Sequence, residues 1–123
     1  MKFRFREFKV YQDALKFRMD LKYLTKKYFP SEENFWLVDQ IIRAANSIVL
    51  NIAEGADRGT DKDFALFLNR SHTSLNEVVA CLDIALLEKY ITEKIHQQLI
   101  QEAAELGDQI TAFRRKLLLN PSK

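Results

Sequence analysis

A thiol beside an imidazole is the least equipment that nucleophilic catalysis needs, so His72 and Cys81 come first. They stand nine positions apart on one helical segment, which places them on opposite faces, and they form no local pair. Cys81 is the single cysteine, which excludes an internal disulfide and a cysteine-rich zinc site and suits a small packed side chain. Glu93-Lys94-Ile95-His96 has the Glu-x-x-His spacing of carboxylate-bridged metal bundles. Those sites need two such motifs and two further Glu, and no second copy exists here. Gly55-Ala56-Asp57-Arg58-Gly59-Thr60 lacks the Lys and the length of a phosphate loop. Asp57, Asp61 and Asp63 imitate part of a calcium loop, yet Lys62 stands where Gly is required and Leu68 where Glu is required. Those acids suit helix caps better. The residue types therefore predict a protein that is not an enzyme and holds no metal or cofactor.

Charge is the more informative chemistry. The 123 residues carry a net charge of only +2, but residues 1–30 hold nine Lys or Arg against three acids. Along the first segment Lys9, Asp13, Lys16 and Asp20 alternate at helical spacing, so that row neutralises itself. On the other flank Arg18, Lys22 and Lys26 stand at i, i+4 and i+8 with no acid three or four positions away on their own helix, and Arg4 and Arg6 add charge in the N-terminal arm. Two readings stay open: a solvated face paired with acids of a neighbouring helix, or a ridge that meets nucleic-acid phosphate. Phe3 and Phe5 either stack on bases or pack on the body of the protein.

The elements that position these residues are helices. Pro30, Gly55, Gly59 and the softer break at Lys89-Tyr90-Ile91-Thr92 cut the chain into four segments, each long for a strand. Val10, Ala14, Phe17, Leu21, Leu24 and Tyr28 step by 4, 3, 4, 3, 4, and so do Leu99, Ala103, Leu106, Ile110, Phe113 and Leu117. Ser31, Thr60 and Thr92 mark starts. The prediction is one all-α domain over 1–123, an antiparallel up-down-up-down four-helix bundle with helices near 9–28, 32–55, 61–89 and 93–119. No apolar run approaches the roughly 20 residues that cross a bilayer, and MKFRFREFKV lacks a signal's apolar stretch, so a cytoplasmic protein without a membrane role is expected.

Residues 37–53, LVDQIIRAANSIVLNIA, are apolar nearly all round, which suggests that surplus Ile and Val meet another subunit. One polar stripe interrupts them: Gln40, Arg43, Ser47, Asn51 and Glu54. The third segment offers a matching stripe with Ser74 and Glu77 close to Arg70, Asp63 and Cys81. Either both stripes are solvated, or they form a buried network or subunit interface with Arg43 donating to Glu54 or Glu77.

The run Gln40-Ile41-Ile42-Arg43-Ala44-Ala45-Asn46-Ser47-Ile48, continued by Asn51-Ile52-Ala53-Glu54-Gly55, resembles the 23S rRNA intervening-sequence family, also labelled ribosomal-protein-like. Phe8-Lys9-Val10-Tyr11-Gln12-Asp13-Ala14 is similar to that family's opening, with Tyr11 where Trp is commoner, and Phe64 to Glu77 to its third helix. Ser71 and Thr73 depart from the usual Ala and Gly. The resemblance implies a left-handed four-helix bundle in a bacterial homopentamer. The family's role is not established; its genes lie within rRNA intervening sequences, and its architecture resembles the accessory protein of diversity-generating retroelements. Two functions follow: an accessory protein touching RNA, DNA or a nucleic-acid-handling protein, or an oligomeric scaffold or adaptor with a protein partner.

Overall fold

The computed structural model describes residues 1–119 and consists, among these, of helices and turns with no strand. Four α-helices follow one another: α1 (Lys9–Tyr28), α2 (Leu37–Ala56), α3 (Asp61–Leu87) and α4 (Glu93–Leu119). Short 3-10 turns cover Arg4–Glu7 and Ser31–Glu33. Helix α2 packs on α1 and α3, α3 on α4, and the smaller α1–α4 seam closes the ring. The predicted seams lie in the core: Val10, Ala14, Phe17, Leu21 and Leu24 are buried on α1, and Leu99, Ala103, Leu106 and Ile110 on α4.

Helix starts follow the hydroxyls in two of three cases. Thr60 Oγ1 accepts the Asp63 N–H at 3.1 Å, and Thr92 Oγ1 accepts the Ile95 N–H at 3.2 Å, each satisfying a first-turn donor. Ser31 does not cap α2, and the predicted start near 32 is corrected to Leu37. Instead Ser31–Glu33 forms a 3-10 turn, and Trp36, at φ −123° and ψ −94°, breaks the path before the helix begins. A tertiary contact holds this turn in place: the Tyr90 hydroxyl donates to Glu33 Oε2 at 2.6 Å, and the Tyr90 ring packs on Phe29.

Helix α3 ends two residues before its predicted limit, through a left-handed residue. Lys89 has φ 65°, its N–H reaches Leu86 O, and the Tyr90 N–H reaches Ala85 O. That is the Schellman pattern, made with Lys where Gly is usual. Gly55 does not break α2 but lies buried in its last turn. A Cβ there would meet Phe67 Cβ at 2.6 Å and Phe64 Cδ1 at 3.0 Å, so α2 and α3 approach here only because the side chain is missing. Ser71, fully buried on the same interface, is accommodated because its hydroxyl donates to Ile48 O at 2.9 Å.

The apolar surplus of α2 is mostly covered by its own chain. Lying between α1 and α3, the helix buries Leu37, Ile41, Ala44, Ala45, Ile48, Val49 and Ile52. What stays outside is Leu50, 63% exposed, and, just before the helix, Phe35 at 88% and Trp36 at 74%.

Candidate functional site

The two polar stripes come together. Gln40, Arg43, Ala44 and Ser47 of α2 and Ser74 and Glu77 of α3 line one open groove of about 400 Å³. Its floor is a hydroxyl pair, Ser47 Oγ and Ser74 Oγ, 2.8 Å apart. Asn51 Nδ2 donates to Ser47 O at 2.9 Å and to Ser47 Oγ at 3.1 Å. Of the two readings open for the stripes, the arginine pairing is not made within one chain: Arg43 reaches neither Glu54 nor Glu77. Its side chain is 77% exposed, and its Nη1 lies 3.5 Å from Asp39 Oδ2, one turn earlier on α2. Glu54 and Glu77 are exposed as well. Within one chain the stripe is therefore a short hydroxyl–amide network with a solvated rim.

Cys81, buried beside this groove, is no nucleophile in waiting. Burial, helped by the charge of Glu77, pushes its thiol up to about 11, away from the thiolate form. His96 turns from Glu93 to α3, where its Nε2 lies 2.8 Å from Asp83 Oδ1. Among the described residues no three His, Cys, Asp or Glu side chains gather in a way that could hold a metal ion. No described helix is long and apolar enough to cross a membrane.

On α1 the self-neutralising row forms as its spacing predicts. Lys9 Nζ lies 2.6 Å from Asp13 and Lys16 Nζ 2.9 Å from Asp20. The opposite flank divides. Arg18 is half-buried, and its Nε donates to Asn46 Oδ1 on α2 at 2.9 Å, so an amide rather than an acid engages it. Lys22 is half-buried and Lys26 exposed, and neither makes an ion pair or side-chain hydrogen bond among the described residues. Arg4 donates to Ala56 O at the C-terminal end of α2, lies 3.9 Å from Asp57 and rests on the Phe8 ring. That contact satisfies a helix-end carbonyl with a cation. Arg6 is exposed. Phe5 packs edge-on against Tyr11, with ring centroids 4.9 Å apart, while Phe3 is half exposed.

One cluster could not be found from a single helix. Glu102 and Gln109 of α4 complete the α1 row: Gln109 Nε2 donates to Asp13 at 2.8 Å, and Glu102 lies 3.5 Å from Lys16. Burial, then the Asp20 carboxyl, raises Glu102. Burial also presses Asp20 upward, but hydrogen bonds from Glu102 and Lys16 outweigh it and hold Asp20 below the ordinary range. The two carboxyls are thus shifted in opposite directions beside a cavity of about 240 Å³ lined by Phe17 and Leu106. The only sequence signal was acids on the flanks of two apolar seams.

No curated protein matches the chain. A crystal structure of a protein with unknown function from the S23 ribosomal protein family of Bacteroides thetaiotaomicron VPI-5482 has a similar fold, with a TM-score of 0.78 and 24% identity. The match covers 85% of this chain and 97% of that one. The family model for the 23S rRNA-intervening sequence protein matches residues 6–112, which takes in α1, α2, α3 and most of α4. With the groove motif of α2 inside that span, the chain belongs to the 23S rRNA-intervening sequence protein family.

Proposed function

We propose that the protein is a non-enzymatic cytoplasmic accessory protein that works as a homo-oligomer, a pentamer of up-down-up-down bundles, and meets RNA or DNA through its basic α1 surface. The observation that carries the nucleic-acid reading is the divided charge of α1. Lys9 and Lys16 are matched by Asp13 and Asp20, whereas Lys22 and Lys26 have no acid partner among the described residues. Unmatched cations in a row gain most from a phosphate backbone, because each contact releases counterions. Antiparallel packing is supported by the order of the cross-helix contacts. Asp13 meets Gln109 while Lys16 meets Glu102, and Ser47 meets Ser74 while Gly55 faces Phe67. Oligomerisation is supported by Leu50, Phe35 and Trp36, large apolar side chains left outside one chain.

The test is binding of structured RNA and duplex DNA to the full chain over a salt series. Affinity should fall steeply with salt, and Arg18/Lys22/Lys26→Glu should abolish it, while changing Lys9 and Lys16 should matter less. No binding near about 50 mM salt would defeat the reading. A scaffold or adaptor with a protein partner and no nucleic-acid role is the second reading, favoured by the exposed Phe35–Trp36 pair, since aromatic side chains concentrate in protein interfaces. Light scattering near five chains supports the pentamer; a monomer at micromolar concentration would overturn it.

A further inference from the structure

Arg58, in the α2–α3 turn, and Arg70, three residues after Phe67 on α3, both rest on the Phe67 ring, with Cζ 5.0 Å and 4.6 Å from its centroid. The ring is a fixed platform: Phe67 is buried, and its Cβ sits where Gly55 leaves no room for another atom. Contact with it restrains two long side chains that would otherwise sample many rotamers. Neither arginine makes an ion pair or side-chain hydrogen bond among the described residues. Asp57, the acid next to Arg58, faces Arg4 instead. Their contacts with one ring keep the two guanidiniums within about 10 Å of each other, close enough for a single anion, or two neighbouring ones, to attract both.

We infer that Arg58 and Arg70 form a clamp for the backbone phosphates of a nucleic acid, one phosphate or two successive ones. A guanidinium on a ring keeps its N–H donors, and its planar fork matches phosphate oxygens. The surroundings favour a polyanion over a lone carboxylate. Contacts among Phe8, Phe64 and Phe113 bring the N-terminal arm, the α2–α3 turn and the end of α4 to one end of the molecule. There, residues 1–9, 54–64 and 112–119 hold nine Lys or Arg against five Asp or Glu. The clamp rests on the nucleic-acid reading above but uses residues outside the α1 ridge.

The experiment measures fluorescence anisotropy of a short labelled RNA duplex with the full-length wild type, R58A/R70A, R58K/R70K and the Arg18/Lys22/Lys26→Glu variant over a salt series. Circular dichroism confirms helix content, and light scattering reports the assembly. R58A/R70A should bind about tenfold more weakly or worse, and its slope of log affinity against log salt should shrink by about 2. R58K/R70K should recover only part of the loss, because a Lys point charge lacks the fork. Wild-type binding by R58K/R70K would reduce the clamp to generic charge and overturn it. So would a smaller assembly in R58A/R70A, which would make the pair a contact between copies. If R58A/R70A binds as the wild type does while the α1 variant fails, the clamp is wrong and the nucleic-acid reading stands. If the wild type itself does not bind, both fall.

Discussion

Ser47 on α2 and Ser74 on α3 bring their hydroxyls to 2.8 Å, and this pair joins two polar stripes that lie 27 residues apart into the floor of one groove. The hydroxyls satisfy each other and Asn51, so the floor is stable without help from the charged residues above it. Arg43 is therefore not needed by the floor and stands at the rim beside Asp39.

Arg43→Ala should change the stability of the isolated chain by no more than about 0.5 kcal/mol, because its pairing with Asp39 is exposed. Denaturant titrations at two protein concentrations check this. A loss of several kcal/mol that appears only at the higher concentration would mean that another subunit covers the groove.

Gly55→Ala should destabilise by about 1–3 kcal/mol, although Ala is the better helix former, because its methyl would collide with Phe67 Cβ and Phe64 on the tightest part of the α2–α3 interface. Urea unfolding followed by circular dichroism measures it. A stabilised variant would show that α2 can shift away from α3 at little cost.

Lys89→Gly should stabilise by about 0.5–1 kcal/mol, since Lys89 holds φ 65° at the end of α3, where a Cβ is strained. Part of that gain is lost to the greater freedom of Gly in the unfolded chain. The same titration reads it, and Lys89→Ala should show no such gain.

Glu102→Gln should raise the Tm most at neutral pH. The folded chain lifts the Glu102 carboxyl above its ordinary value of 4.5, so its favourable contribution is present below that pH and lost as pH rises through the lifted value. The advantage of the variant should therefore shrink as pH falls from 7 towards about 4.5. Asp13 and Asp20 act in the opposite direction: hydrogen bonds with Lys9 and Gln109 at Asp13, and with Glu102 and Lys16 at Asp20, hold both below 3.8, and their support disappears on further acidification. Melting curves across this range decide it. A difference independent of pH would show that burial and Asp20 do not lift the Glu102 carboxyl.

What could be foreseen depended on whether the signal was local. Helix α1 runs from Lys9 to Tyr28, as its apolar steps imply, and Thr60 and Thr92 cap as their positions imply. Both are decided within a few residues. The start of α2 is not local. Ser31 precedes two acids as a cap would, but Glu33 is engaged by Tyr90, 57 positions away, and the helix waits until Leu37. The partner of Arg43 is undecided for a related reason: angular position on a helix puts it beside the α3 stripe, as observed, but only the width of the groove decides whether Glu77 is in reach. The meeting of Arg58 with Arg70 is not legible in the sequence, because Arg58 lies in a turn, where helical periodicity says nothing, and the meeting depends on one buried ring.

The cluster of Phe8, Phe64 and Phe113 has a kinetic consequence. Four residues link α2 to α3 and five link α3 to α4, so those pairs close short loops early. Phe8 and Phe113 close almost the whole chain, the costliest loop entropically, and they do so at the end of the smallest seam. Docking of α1 on α4 should come last in folding and be undone first. Native-state hydrogen exchange should then show α1 amides leaving protection ahead of those in α2 and α3, with α1 acting as the hinged stave of the barrel.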